Sequence, residues 1–106
     1  MQKLEFLRNQ LKNIDNEPME REVKDGKKPL TVEFVIIEAL LSIYEEKMTE
    51  QRKYKNWDIV KKIKASTDGT VELITEEVAE IKKAVGLVWT PLVMGQVFDL
   101  IEGGNK

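Results

Sequence analysis

The chain holds few of the side chains that perform nucleophilic, acid–base or metal chemistry. Its 106 residues include no His and no Cys. That removes a Ser-His-Asp triad, a Cys-His pair, a thiolate nucleophile and any imidazole or thiolate metal site. Carboxylates, lysines, hydroxyls and two tyrosines remain. Two carboxylate pairs stand out, Glu45-Glu46 and Glu76-Glu77, but neighbours on a helix point about 100° apart and do not share a site. Before Gly103-Gly104 the glycines are scattered singly, so no phosphate-cradling loop is present. These residues predict a protein that is not an enzyme, with no catalytic residue, no cofactor and no metal.

Side chains suited to recognition fall in two places. The segment "MTEQRKYKNWDIVKKIKAS" sets Arg52, Lys53, Lys55, Lys61, Lys62 and Lys64 around Tyr54 and Trp57. Cations meet phosphates and aromatic rings stack on bases, which is the chemistry of a nucleic-acid surface. Yet Tyr54, Trp57, Val60 and Ile63 recur at intervals of three and form the apolar stripe of this helix. That pattern places the aromatics in the core and makes the lysines a solvated face, or a balance to acidic strips on neighbouring helices.

The second place is "WTPLVMGQVFDLIEGG", Trp89 to Gly104. Thr90 is an N-cap, Pro91 suits the first helical position, and Gly103-Gly104 ends the helix. Gly95 costs about 0.8–1.0 kcal/mol of helix propensity relative to Ala. Burial of Val93, Met94, Val97, Phe98, Leu100 and Ile101, at roughly 1.5–3 kcal/mol each, outweighs it. In one reading a loop of the same molecule lies over the glycine. In the other, Leu92, Gly95, Gln96 and Asp99 form a contact surface for another protein chain or a second copy, with Leu92 as the apolar anchor of a weak homo-oligomer. A DNA-reading helix-turn-helix is disfavoured, because this helix offers one Gln and two acids to the phosphates.

The elements that must position these residues follow from periodicity and punctuation. Leu4, Leu7, Leu11 and Ile14 predict an amphipathic helix over 3–14. Residues 15–30, with two Pro and an Asp25-Gly26 turn signal, read as a loop or an irregular hairpin. Thr31 caps a central helix to about Glu46, whose apolar residues from Val32 to Tyr44 cover so wide an arc that it must be packed on several sides. Asp68-Gly69 ends the basic helix. The "TVELI" run is a short strand expected to touch "KPLT". A helix from Thr75 carries Val78, Ile81, Val85 and Val88, and Gly86 with Trp89-Thr90-Pro91 breaks into the final helix. The expected fold is all-α, a compact bundle of about four main helices with room for one short two-stranded β pairing. It forms a single helical domain over 1–106. The net charge of −2 is too small to imply a polyionic partner for the whole chain. No apolar run reaches membrane length and no signal peptide is visible, so a soluble, cytoplasmic protein with no membrane contact is expected.

The run "VELITEEVAEIKKAVGLVWTPLVMGQVFDLIEG" resembles the C-terminal half of small bacteriophage and prophage helical proteins. Those proteins have a Leu-Thr-capped central helix and close on a segment of the form "PPLVVGQA…LLEG". The matching residues are Leu30-Thr31, Leu40-Leu41, Glu76-Glu77, Ile81, Pro91-Leu92-Val93, Gly95-Gln96 and Leu100 to Gly103. The similarity covers about two-thirds of the chain, and Pro-Leu-Val-x-Gly-Gln is its distinctive part. The resemblance implies a phage origin, hence the host cytoplasm, and an accessory role in particle assembly or host interaction. The expected function is a non-catalytic protein acting by protein–protein interaction or self-association. The alternative is a nucleic-acid-binding accessory or regulatory protein that uses the basic helix over 50–65.

Overall fold

Capping side chains and apolar periodicity together place the helices. In the computed structural model, which describes residues 1–103, α1 spans Val32–Ser42, α2 Glu50–Lys64, α3 Thr75–Val88 and α4 Pro91–Ile101. Thr31 Oγ1 accepts from the Phe34 N–H, and Thr49 Oγ1 from the Arg52 N–H. Each satisfies one of the orphan donors at a helix N-terminus. α3 begins at Thr75 as predicted, but Glu77 does the capping: its Oε1 accepts from the Ile74 N–H at 3.0 Å. α4 opens on an extended Thr90 followed by Pro91. It closes before Gly103, whose φ of 81° is the left-handed conformation that ends a helix. Gly104, the other half of the predicted stop, lies outside the described residues.

The fold is not all-α. Among the described residues, two antiparallel two-stranded sheets accompany the four helices: β1 (Gln2–Leu4) pairs with β4 (Val71–Leu73), and β2 (Glu20–Val23) with β3 (Gly26–Pro29). The result is a mixed α/β architecture with helices forming its larger part.

The N-terminal helix predicted over 3–14 is absent. Leu4, Leu7 and Leu11 are buried, but Ile14 is 85% exposed, so the four do not share one face. Backbone pairing explains the difference. The Leu7 N–H donates to Gly69 O, the Glu33 N–H to Leu7 O, the Val32 N–H to Asn9 O and the Leu11 N–H to Leu30 O. With partners supplied from across the fold, this segment satisfies its polar backbone without helical bonds.

The predicted contact of "TVELI" with "KPLT" is likewise replaced. β4 lies against β1 in the register Gln2↔Leu73, Lys3↔Glu72 and Leu4↔Val71. "KPLT" instead completes β3 and then bonds to the N-terminal segment, through Leu30 and through a Gln10↔Thr31 bridge. The charged stretch before it is a regular hairpin, with Arg21 opposite Lys28 and Glu22 opposite Lys27. Its turn places Gly26 at φ 133°, which L side chains rarely adopt.

The core is built on α1, which packs against both α2 and α3. Val32, Val35, Ile36, Ala39 and Leu40 are buried on it, and Val78, Ile81, Ala84 and Val85 on α3. α1 stops at Ser42, short of the predicted Glu46, and leaves Leu41 and Tyr44 exposed. Trp89 Nε1 donates to Val35 O at 3.0 Å, and its ring meets Phe34 edge-on. The Arg21 guanidinium lies 3.9 Å over the Phe34 ring and so docks the hairpin. Gly86 does not break α3. It lies inside the helix, where an added Cβ would come 3.7 Å from Met94 Sδ and Phe98 Cζ of α4. Among the described residues, no helix is long and apolar enough to cross a membrane.

Candidate nucleic-acid interface

α2 buries the second half of the predicted three-residue stripe, Val60 and Ile63, but not the first half, Tyr54 and Trp57. Its buried residues are Asn56, Ile59, Val60 and Ile63, while Tyr54 is 63% and Trp57 48% exposed. Geometry gives the reason. At 3.6 residues per turn, each step of three falls about 60° short of a full turn. From Tyr54 to Ile63 the stripe therefore drifts to the opposite side of the helix. The mixed spacing of three and four through Asn56, Ile59, Val60 and Ile63 stays on one face, and α1 covers that face.

On the solvent side, Lys53, Lys64, Trp57, Lys61 and Tyr54 fall within an arc of about 100°. Glu50 is the one acid among them. Lys61 Nζ lies 5.7 Å from the Tyr54 ring centroid and 3.2 Å from Asp58 Oδ1. Lys53, Lys55 and Lys64 make no ion pair among the described residues. The 15 residues of α2 carry six cations against two acids, Glu50 and Asp58.

The opposite flank of α2 borders a groove of about 1080 Å³ against α3. Here Arg52 is a structural clamp and not a free cation. Its guanidinium donates to both carboxylate oxygens of Glu80, at 3.1 and 3.0 Å, and to Glu45 at 3.1 Å. Glu80 first and Glu45 second hold Arg52 charged above its ordinary range. Arg52, and then Lys83 at 3.2 Å, pull the Glu45 carboxyl below its usual value. Lys62 Nζ pairs with Glu77 at 2.6 Å. Asn56, 2% exposed, reaches Leu40 O with Nδ2 at 3.5 Å, and its Oδ1 finds no partner among the described residues. Of the six predicted basic residues, then, Lys53, Lys61 and Lys64 join the exposed aromatics. Arg52 and Lys62 tie α2 to α3, Lys55 lines the groove, and Lys61 borders both the groove and the aromatics. Among the described residues no cluster of three or more acidic side chains is placed to hold a metal.

The four residues predicted as a protein contact on α4 separate. Gln96 is occupied within the chain: its Oε1 accepts from the Lys12 N–H at 2.9 Å, and its Nε2 donates to Lys12 O at 2.7 Å. No local signal announces a pairing across 84 residues of chain. Leu92 and Asp99 are exposed, and a Cβ built on Gly95 meets nothing within 4 Å. Among the described residues, no loop presses on the glycine. Gly95→Ala should therefore raise stability by up to about 1 kcal/mol through helix propensity alone. Thermal denaturation measures this, and a neutral or destabilised variant would show that another chain covers the site.

Comparison with family models, with curated proteins and with solved structures returns no match to this chain. Its function is to be read from its own surface.

Proposed function

We propose that this chain is a non-catalytic, nucleic-acid-binding accessory protein that works through the outward face of α2. The observation that carries the reading is the exposure of Tyr54 and Trp57 between Lys53, Lys61 and Lys64. Both rings stand outside the core, where they flank the lysines as a recognition surface would require. The competing surface on α4 has lost Gln96 to an internal bond and keeps a single apolar anchor beside an acid.

A structural role accounts for some of the lysines. Lys61, Lys62 and Lys64 sit in the last turn of α2, where the helix dipole favours cations. Lys53 lies near the opposite end, where the dipole disfavours a cation, so helix stability does not explain it. A phage accessory role is compatible with this reading, although Pro91, Leu92, Val93, Gly95 and Gln96, which carry that resemblance, lie on α4 and not on this face.

With three lysines and a chain charge of −2, binding should be modest and strongly salt-dependent. Fluorescence anisotropy with labelled oligonucleotides at low salt measures it. Changing Lys53, Lys61 and Lys64 together to Gln should weaken binding at least about tenfold and largely keep helicity, because all three side chains are exposed and Gln is close to Lys in helix propensity. Unchanged affinity in the triple variant, or no binding by the native chain, would overturn the proposal.

A further inference from the structure

We infer that the nucleic acid taken by this face is single-stranded, with bases stacking on Trp57 and Tyr54 while phosphates meet Lys53, Lys61 and Lys64. The inference rests on the reading of the α2 face given above and names its substrate class.

Stacking needs the flat faces of bases, and a duplex keeps those faces inside its own stack. A surface built for duplex phosphates gains nothing from two exposed rings. A surface built for a single strand uses both rings and cations. Trp57 lies about 4.5 Å along the helix axis from Tyr54, so the two rings stand side by side on one face. From Lys53 to Lys64 the face runs about 16 Å, which is room for a short stretch of a few nucleotides. Glu50 marks one end, where a carboxylate repels the next phosphate, and Asp58 beside Lys61 offsets part of that lysine's charge.

The face also lacks the groups that read base identity. It carries no Arg, Asn or Gln to make paired hydrogen bonds with base edges. Tolerance of sequence, with stacking contributing roughly five- to hundredfold in affinity per base, is the expected behaviour. Three lysines alone would hold a duplex weakly near physiological salt. The rings therefore set the preference.

The test compares a labelled 12-nucleotide oligo(dT), its oligo(U) counterpart and a duplex of the same length with the full chain at low salt. The single strands should bind at least about tenfold tighter than the duplex and should quench the emission of Trp57. Trp57→Ala should lose at least about tenfold on the single strands, leave duplex binding unchanged and keep its helicity by circular dichroism. Trp57→Phe, which preserves a stacking ring, should restore most of the loss. Equal affinity for single strand and duplex, with Trp57→Ala silent, would overturn this inference while the wider nucleic-acid reading stood. No binding of any of the three would overturn both. So would a concentration-dependent dimer that Trp57→Ala dissociates, because it would assign the face to a second copy of the chain.

Discussion

Leu7→Ala should destabilise the fold by about 2–5 kcal/mol, whereas Ile14→Ala should change its stability by less than about 0.5 kcal/mol. Both residues belong to the same predicted helical stripe, and only the tertiary structure separates them. Leu7 has no solvent exposure, and Ile14 is almost fully solvated. Leu7 also sits where the N-terminal segment is bonded on both sides, its N–H to Gly69 O and its C=O to the Glu33 N–H. The surrounding backbone is held in place, so the cavity left by truncation cannot collapse, which puts the cost toward the upper end of the range. Urea denaturation midpoints of the two variants give the comparison. Equal costs for both would restore an amphipathic helix over 3–14 and refute the non-helical N-terminal segment.

Asn56→Asp should cost about 3–5 kcal/mol at neutral pH. The site is buried and Nδ2 points to Leu40 O, a carbonyl in the last turn of α1. Helix α1 ends at Ser42, so that carbonyl has no continuing helical partner. Replacing the amide by a carboxylate removes the donor and sets a negative charge beside the negative end of the helix dipole. Burial and that neighbour both raise the new carboxyl's folded-state pKa above its unfolded value of about 3.9. A raised folded pKa means that the protonated form fits best. The variant therefore loses stability as pH rises through the folded value and recovers it as pH falls toward the unfolded value.

The wild type runs the other way in acid. Arg52 and Lys83 hold Glu45 below its ordinary value of 4.5, and Thr70 holds Asp68 below its ordinary 3.8. Both contributions fade as these groups protonate. The variant-minus-wild-type difference in melting temperature across pH 4–8 cancels those shared terms and isolates the new carboxyl. A difference near zero at pH 7 would show that the Asn56 site is open to water.

Several elements are local events, and for those the sequence was enough. Thr31 and the Thr90-Pro91 pair start helices because a hydroxyl or a ring next to an apolar run satisfies or removes orphan N–H groups in place. Gly26 closes the β2–β3 hairpin just after the Lys24-Asp25 turn, because its φ of 133° is one that L side chains rarely adopt. The absence of His and Cys excludes whole classes of chemistry without any structure.

What the sequence left undetermined depended on partners far away in the chain. β1 meets β4 across the whole length between Leu4 and Val71, and Lys12 meets Gln96, with no signal near either residue. Leu4, Leu7 and Leu11 have helical spacing, yet they are buried on a non-helical segment that turns at Leu7-Arg8, because burial rewards apolar area in any backbone conformation whose polar groups are satisfied. On α2, two apolar stripes share Val60 and Ile63, and periodicity alone does not choose between Tyr54-Trp57 and Asn56-Ile59 for the rest. Packing against α1 chose Asn56 and Ile59, which left an indole and a phenol in water among lysines. The residues of the proposed interface were visible in the sequence from the start. That they face outward together was decided by the tertiary structure.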